Sequence, residues 1–279
     1  MITDPEGVEF LQWCLPRLGL RWPGFRKVRR QIYKRLNRRL EELRLPGLAP
    51  YRRYLEDHPG EWALLDGFCR IGISRFYRDR GVFELLEREI FPELGRLALE
   101  RGDVALRCWS AGCAGGEEPY TVVIVWRHGV ASRFPALALD VVATDVDPAA
   151  IRRAERACYR PSSVRELPAD WRARAFTVVG DELCLKDEYR AAVTFRVEDV
   201  RDSAPGGPFH LILCRNLAFT YFDEPLQRKI LGLLHDRLAA GGVLIIGKLE
   251  RLPERPPGLQ PWSPGSMGVY RKTPEDRNG

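Results

Sequence analysis

WSAGCAGGEEPY, residues 109–120, sets three glycines and two adjacent carboxylates in twelve positions. The apolar run leading into it, VALRCWS (104–110), has strand character, and the stretch from Pro119 to about Val130 has helical periodicity. A glycine-bearing turn between a strand and a helix is where open α/β sheets bind ligands. Many such turns cradle phosphate on bare backbone N–H groups. Here the spacing is G-x-x-G-G rather than G-x-G-x-x-G, and Glu117 and Glu118 would repel a phosphate and compete for the same donors. A nucleoside cofactor with a cationic end and no phosphate fits better. S-adenosylmethionine (SAM), with its adenosine, α-amino group and sulfonium, is such a molecule. The plainer reading is that two glutamates simply favour a helix N-terminus.

Working outward, the strand–helix rhythm continues. LDVVATD (139–145) is a buried strand, Pro148 to Cys158 a helix, FHLILC (209–214) a strand, 223–240 a helix and GGVLIIGK (241–248) a strand. MGVYRK (267–272) suits an edge strand. Such alternation predicts a mostly parallel sheet with helices on both faces. The second strand ends in Asp145, whose carboxylate could accept from both ribose hydroxyls, while Asp147 before Pro148 has the form of a helix N-cap. Glu198-Asp199 forms a third acidic spot, at the sheet's edge, within reach of an adenine amino group. Three acidic spots at successive strand ends favour a SAM site over three unrelated caps. Between these elements, FTVVGDELCLKDEYRAAVTFRVED (176–199) reads as a small antiparallel insertion.

The N-terminal part is different in kind. Residues 6–70 show helical periodicity, with Val28, Ile32, Leu36, Leu40 and Leu43 on one stripe. Breaks fall at Trp22-Pro23-Gly24, Pro46-Gly47 and His58-Pro59-Gly60. A further helix is expected over about 80–101. Residues 1–75 carry 15 Lys/Arg against 9 Asp/Glu, whereas the remainder balances 29 against 29, so the whole net charge of +6 belongs to this region. FRKVRRQIYKRLNRRLEELR (25–44) alone holds nine basic residues. A solvated face is the commoner fate of such a run; an acidic partner is the functional reading. No apolar run approaches the roughly 18 residues of a membrane span, and the start lacks a signal-peptide pattern, so no membrane insertion is expected. Seven scattered cysteines with no C-x-x-C pair predict neither a disulfide framework nor a metal site, and point to a reducing cytoplasm.

Taken together these segments resemble the chemotaxis receptor methyltransferases, the CheR family of protein-glutamate O-methyltransferases. The resemblance runs through the basic helical start, SRFYRDRGVFELL (74–86), WSAGCAGGEEPY, ATDVDPAAIRRA (143–154), ACYRPSSVREL (157–167), FHLILCRN (209–216) and TYFDEPLQ (220–227). It implies a helical domain over 1–75 and a methyltransferase domain over 76–279. The latter would be a seven-stranded Rossmann-like class I SAM-dependent sheet with a β insertion at about 174–196. It implies that Arg78 contacts both cofactor and incoming carboxylate, and that Ser74 and Gly112 also border the cofactor. By the same resemblance Glu118 holds the SAM amino group, Asp145 the ribose, and Asp199 with Val200 the adenine. Arg215 and Asn216 would line the methionine portion, and Tyr221 would lie beside the transferring methyl. Arg35, Arg38 and Arg39 would grip an acidic protein acceptor, the helical cytoplasmic region of a receptor, with the enzyme acting as a monomer. A nucleic acid would satisfy the same charge, but the chain lacks an RNP motif, a zinc module, a D/N-P-P-Y motif and a Pro-Cys nucleophile.

The chemistry is consistent with that assignment. A glutamate side chain with an ordinary pKa near 4.3 is already a carboxylate nucleophile at neutral pH. No general base is needed, and the four histidines (58, 128, 210, 235) fall outside the motifs. Three departures surround the expected transfer centre: Ile71-Gly72-Ile73-Ser74 lacks the family's asparagine, CRNLAFTYFD is one residue longer than its counterpart, and GKLE (247–250) replaces G-H-S-E. A related enzyme with a different acceptor, such as a small-molecule carboxylate, and a non-catalytic SAM-binding signalling module are the alternative readings.

Overall fold

A computed structural model describes residues 2–263 and 268–273. It divides into two compact units. One runs to Ile71 and takes in Thr220–Gln227; the other holds Gly72–Phe219 and the described residues from Arg228 onward.

The first unit is helical: α1 (Asp4–Cys14), α2 (Arg29–Glu42), α3 (Leu48–Asp57) and α4 (Glu61–Phe68). The four-residue apolar spacing of α2 puts Ile32, Leu36 and Leu40 on one buried stripe, as an amphipathic helix requires. Thr220–Gln227, grouped by sequence with the methyltransferase domain, packs here. Arg21 N donates to Tyr221 O at 2.8 Å, Asp223 N to Gly19 O at 2.8 Å, and the Tyr221 ring lies 4.9 Å from that of Phe25. Gly24 permits this approach, since a Cβ there would sit 2.3 Å from the Thr220 carbonyl oxygen.

The basic residues of α2 divide into two sets. Arg39 donates through Nε and Nη2 to Glu61 at 2.9 and 2.8 Å, and Tyr51 Oη donates to the same carboxylate at 2.8 Å. Arg35 caps the carbonyls of Phe68 and Arg70 at 2.6 and 2.7 Å. Both expected docking residues therefore make internal ties: Arg39 because Glu61 is only 4% exposed and needs a cation, Arg35 because it satisfies two backbone carbonyls at the end of α4. Arg38 stays 72% exposed, with only a loose 3.8 Å approach to Glu42. With Arg30 and Lys34 it forms an exposed stripe at helical spacing.

The second unit is built on strands β1 (Ala105–Ala111), β2 (Ala138–Asp145), β3 (Cys158–Tyr159), β4 (Phe176–Val179), β5 (Glu182–Leu185), β6 (Val193–Val197), β7 (Phe209–Cys214), β8 (Leu238–Ile246), β9 (Leu259–Pro261) and β10 (Val269–Lys272). Among the described residues seven of them form one sheet in the order β6-β2-β1-β7-β8-β10-β9. The pairs from β6 to β8 are parallel, and β10 and β9 are added antiparallel. Every residue of β7 is buried, as expected for a central parallel strand covered on both faces. The strand foreseen at 267–272 is internal rather than an edge: β9 covers it, and Met267 lies outside the described residues. The insertion is also smaller than its sequence implies. VTFRV is β6, the edge strand of the main sheet, and the small antiparallel sheet is β3-β5-β4.

That small sheet runs against the expectation that the cysteines form no disulfide. Cys158 and Cys184 lie in register across β3 and β5, with Cα atoms 4.0 Å apart, and are joined by a disulfide. The other five are buried thiols. No described helix is long and apolar enough to cross a membrane.

The Glu61 ties make a testable demand on stability. Removing one member of a buried, hydrogen-bonded ion pair leaves the other charge uncompensated, so Glu61→Ala should cost about 3–5 kcal/mol in urea unfolding of the full chain. Arg38→Ala should change it by less than about 1 kcal/mol. The Arg39 guanidinium beside Glu61 holds its carboxyl below the ordinary range. Its contribution is therefore present above the unfolded-state pKa and lost as pH falls through the lower folded value. An acid-limb stability profile that is the same for wild type and Glu61→Gln would contradict this.

Candidate cofactor site

The strand order reverses direction between β1 and β7, the point where open α/β sheets place their ligands. Register pairs Ala111 with Thr144, Ser110 with Leu213 and Cys214 with Ile246, so four strand ends finish at one level. The candidate residues follow those ends.

After β1 the chain turns sharply, with Gly112, Ala114 and Gly116 all at positive φ. Gly112 N and Cys113 N return to the Thr144 carbonyl at 2.8 and 2.9 Å, and Ala114 N donates to Asp145 Oδ2 at 2.8 Å. Asp145 Oδ1 accepts from Asp147 N at 2.9 Å, so this one carboxylate pins the glycine turn to the end of β2. Asp147 caps helix α6 (Pro148–Arg156) through Ala149 N, as its place before Pro148 predicts.

Helix α5 (Glu117–Val125) opens with the paired glutamates, whose roles differ. Glu118 accepts from Ser110 Oγ at 2.7 Å and from Arg215 Nη1 at 2.9 Å. Arg215 Nη2 donates to Asp79 Oδ2 and to the Arg78 carbonyl, both at 2.8 Å, and the guanidinium lies 5.2 Å from the Phe83 ring centroid. With its side chain only 2% exposed, Arg215 joins the end of β7, the start of α5 and the SRFYRD segment. Glu117 is buried, with Oε2 lacking a partner among the described residues. Burial pushes its carboxyl upward, opposed by the nearby Arg153 charge and by hydrogen bonds from its own and Gly115 amides and the Ser74 side chain.

SRFYRD is held from several sides. Phe76 N donates to the Ser163 carbonyl, and the Phe76 ring packs edge-on to Tyr159 and Phe176 at 4.8 and 5.3 Å. Tyr77 and Asp79 take positive φ on either side of Arg78, an uncommon conformation that clusters at functional sites. The Arg78 guanidinium itself donates to the Ile73 carbonyl at 3.0 Å. It contributes its backbone oxygen, not its charge, to the Arg215 cluster.

Two residues were invisible to sequence reasoning. Asp79 is the second carboxylate on Arg215. Glu250, only 7% exposed, accepts from Asn216 N at 2.9 Å and Gly247 N at 2.5 Å, which fixes the left-handed Asn216 at the end of β7. The terminal glutamate of GKLE, shared with G-H-S-E, is what carries this contact. Asp199 is held by Arg201, whose Nη2 lies 2.7 Å from Oδ2, and the neighbouring Val200 is buried. Tyr221 belongs to the helical unit. Among the described residues no group of three or more His, Cys, Asp or Glu side chains could hold a metal ion.

Does this arrangement suit SAM? The donor set is acidic where a cationic amino group would bind. It also leaves the buried Arg215 Nε without a partner among the described residues, a donor suited to a carboxylate acceptor. The acidic set matches an ammonium and disfavours a phosphate, and this Nε gives the carboxylate of an amino acid end a donor. Glu118, Asp145, Arg215 and Asn216 would hold the cofactor.

Comparison with known proteins agrees. Residues 73–263 match the family model described as CheR methyltransferase, SAM binding domain. The chain is 36% identical over 192 residues to a chemotaxis protein methyltransferase of Listeria innocua, covering 68% of this chain and 70% of that protein. It is 31% identical over 225 residues to chemotaxis protein methyltransferase 2 of Pseudomonas aeruginosa, covering 78% and 77%. A probable biofilm formation methyltransferase, WspC, of the same organism is 30% identical over 251 residues, covering 89% and 58%. The cofactor of this domain is S-adenosylmethionine.

Asp145→Ala frees two backbone amides, and Glu118→Ala strips Arg215 of one of its two anions. Each should weaken binding of the demethylated product by about 100-fold or more in titration calorimetry. An unaltered affinity in both variants would remove these residues from the site.

Proposed function

The chain belongs to the CheR methyltransferase family, and on that premise we propose that it transfers the methyl group of SAM to glutamate side chains of a protein acceptor of the chemoreceptor type. The observation that carries the reading is the Asp79–Arg215–Glu118 cluster beside Asp145, an acidic, phosphate-excluding seat at the sheet's switch point.

SAM, when bound, supplies an electrophilic methyl on a positively charged sulfur. An acceptor carboxylate is already the nucleophile at neutral pH, so the chain needs to position rather than deprotonate. Arg78 is the residue for that task. Among the described residues its guanidinium is tied to the Ile73 carbonyl, and a planar donor fork is suited to aiming a carboxylate. The histidines support a base-free mechanism. His210 bridges Asp103 and the Arg107 amide, and His128 is stacked near Trp171 and Tyr189, both in structural roles.

For acceptor docking we assign the exposed stripe Arg30, Lys34 and Arg38 of α2, since Arg35 and Arg39 are committed internally. An acidic helix is the complementary partner. We place the enzyme in the cytoplasm as a monomer, where SAM and the cytoplasmic part of a receptor are both available. The longer CRNLAFTYFD segment and the exposed Lys248-Leu249 pair favour one rival, a carboxylate acceptor outside the receptors.

Incubation with methyl-labelled SAM and host lysate separates these. Base-labile label on a large receptor band is the expected outcome, and label confined to small molecules would sink the protein-glutamate reading. Joint reversal of Arg30, Lys34 and Arg38 to glutamate should weaken the acceptor by about tenfold or more, with product affinity unchanged. Arg78→Ala should lower turnover by on the order of 100-fold while retaining at least part of the product affinity.

A further inference from the structure

Helix α5 buries a threonine in an otherwise apolar run. Thr121 is 0% exposed, and it is followed by Val122, Val123, Ile124 and Val125, all buried as well. A hydroxyl buried in a helix interior is unfavourable unless its hydrogen-bonding capacity is used, and valine would fill the same space without that cost. Thr121 uses both sides of its hydroxyl. Oγ1 donates to the Glu117 carbonyl one turn earlier at 2.6 Å and accepts from Tyr77 N at 3.2 Å. The first bond directs the hydroxyl hydrogen down the helix and so leaves a lone pair for the second. Tyr77 stands directly before Arg78 and takes φ 58°, a conformation that is costly for a bulky residue. Its ring packs against Phe83 and Trp171 at 5.4 and 6.1 Å, which locates the side chain but does not satisfy the amide. Two further ties frame the segment. The Ser74 hydroxyl meets the Glu117 carboxylate, and Arg215 Nη2 donates to Arg78 O at 2.8 Å. The Arg78 side chain is thus carried on backbone held by Thr121 on one side and by Arg215 on the other.

Resting on the assignment of Arg78 to the acceptor carboxylate, we infer that Thr121 is a positioning residue for methyl transfer, its hydroxyl holding Tyr77 in the left-handed conformation that presents Arg78 to the acceptor. It acts through the Tyr77 backbone rather than by contact with cofactor or acceptor. A rotation at Tyr77 displaces the whole Arg78 side chain, and a misplacement of about 1 Å at a positioning group can cost about 100-fold in rate. Without the hydroxyl, the Tyr77 amide loses its acceptor in a buried site. Return of Tyr77 to negative φ then relieves both the strain and the unmet donor, and Arg78 loses its aim. The cofactor end is held by other groups, Asp145, Glu118 and Arg215, so the effect falls on transfer and not on cofactor binding.

Thr121→Val keeps the volume and removes the hydroxyl. Thr121→Ala, the residue a helix tolerates best, is run beside it so that the result does not hang on the folding of one variant. With the full chain, methyl-labelled SAM and host membranes, base-labile label at saturating SAM should form about tenfold more slowly in both variants. The KM for SAM and the calorimetric affinity for S-adenosylhomocysteine should change by less than about threefold. Thr121→Ser, which keeps the hydroxyl, should recover the rate to within about threefold of wild type. Action through Arg78 also makes the two sites non-additive: in the Arg78→Ala background, Thr121→Val should slow transfer by less than about twofold further. Hydrogen exchange at the Tyr77 amide should quicken by about tenfold or more in Thr121→Val and not in Thr121→Ser. An unchanged rate in Thr121→Val and Thr121→Ala, or an equal loss in the wild-type and Arg78→Ala backgrounds, overturns the inference while leaving the methyltransferase reading intact. Wild-type protein that binds S-adenosylhomocysteine but forms no base-labile label overturns the protein-glutamate reading, and the inference with it.

Discussion

A guanidinium shielded from water must be surrounded by anions, and Arg215 meets that demand with groups from three separate segments. Removing one partner of such a group typically costs about 3–5 kcal/mol, so its carboxylates cannot drift independently. Glu118 at the start of α5, Asp79 and the Arg78 carbonyl in SRFYRD, and the end of β7 are held in one arrangement by a single side chain. The same electrostatic necessity explains the neighbouring turn. Asp145 collects two amides and Glu250 two more, each carboxylate converting an irregular strand end into a defined loop. Glu118, Asp79, Asp145 and Glu250 are each held in place by backbone amides, the Ser110 hydroxyl or Arg215, and carboxylates outnumber arginines in this set.

The helical unit applies the opposite charge in the same way. Buried Glu61 recruits Arg39 and Tyr51, and the part-buried carbonyls of Phe68 and Arg70 recruit Arg35, so part of an apparently uniform basic helix is structural. What remains exposed is a stripe of three at helical spacing. A basic run is thus two features superimposed on one sequence: internal ties, which depend little on salt, and a surface field, which salt screens.

The parallel sheet and the sense of the ligand were legible because they rest on local patterns. Continuous apolar runs such as FHLILC belong to strands buried on both faces. Glutamates in a glycine turn exclude phosphate wherever that turn is placed. The roles of Asp79 and Glu250 were not legible, since each acts on a residue more than thirty positions away, and neither has a composition that stands out. The Cys158–Cys184 pair was missed for the same reason: a separation of 26 residues shows no motif, and only the register of β3 on β5 makes the two neighbours.

By itself, then, the sequence determined the alternation of strands and helices, the acidic turn after β1, the carboxylate ending β2, and the confinement of net charge to the first 75 residues. These follow from short-range periodicity, turn chemistry and charge counting. Tertiary structure decided which charges are used. It tied Arg35 and Arg39 inward and left Arg38 exposed, grouped Tyr221 with the helical unit, covered β10 with β9, and gave Arg215 a second anion. The physical reason is that burial sets the energy of a charge, and burial is a property of the packed chain that no residue carries alone.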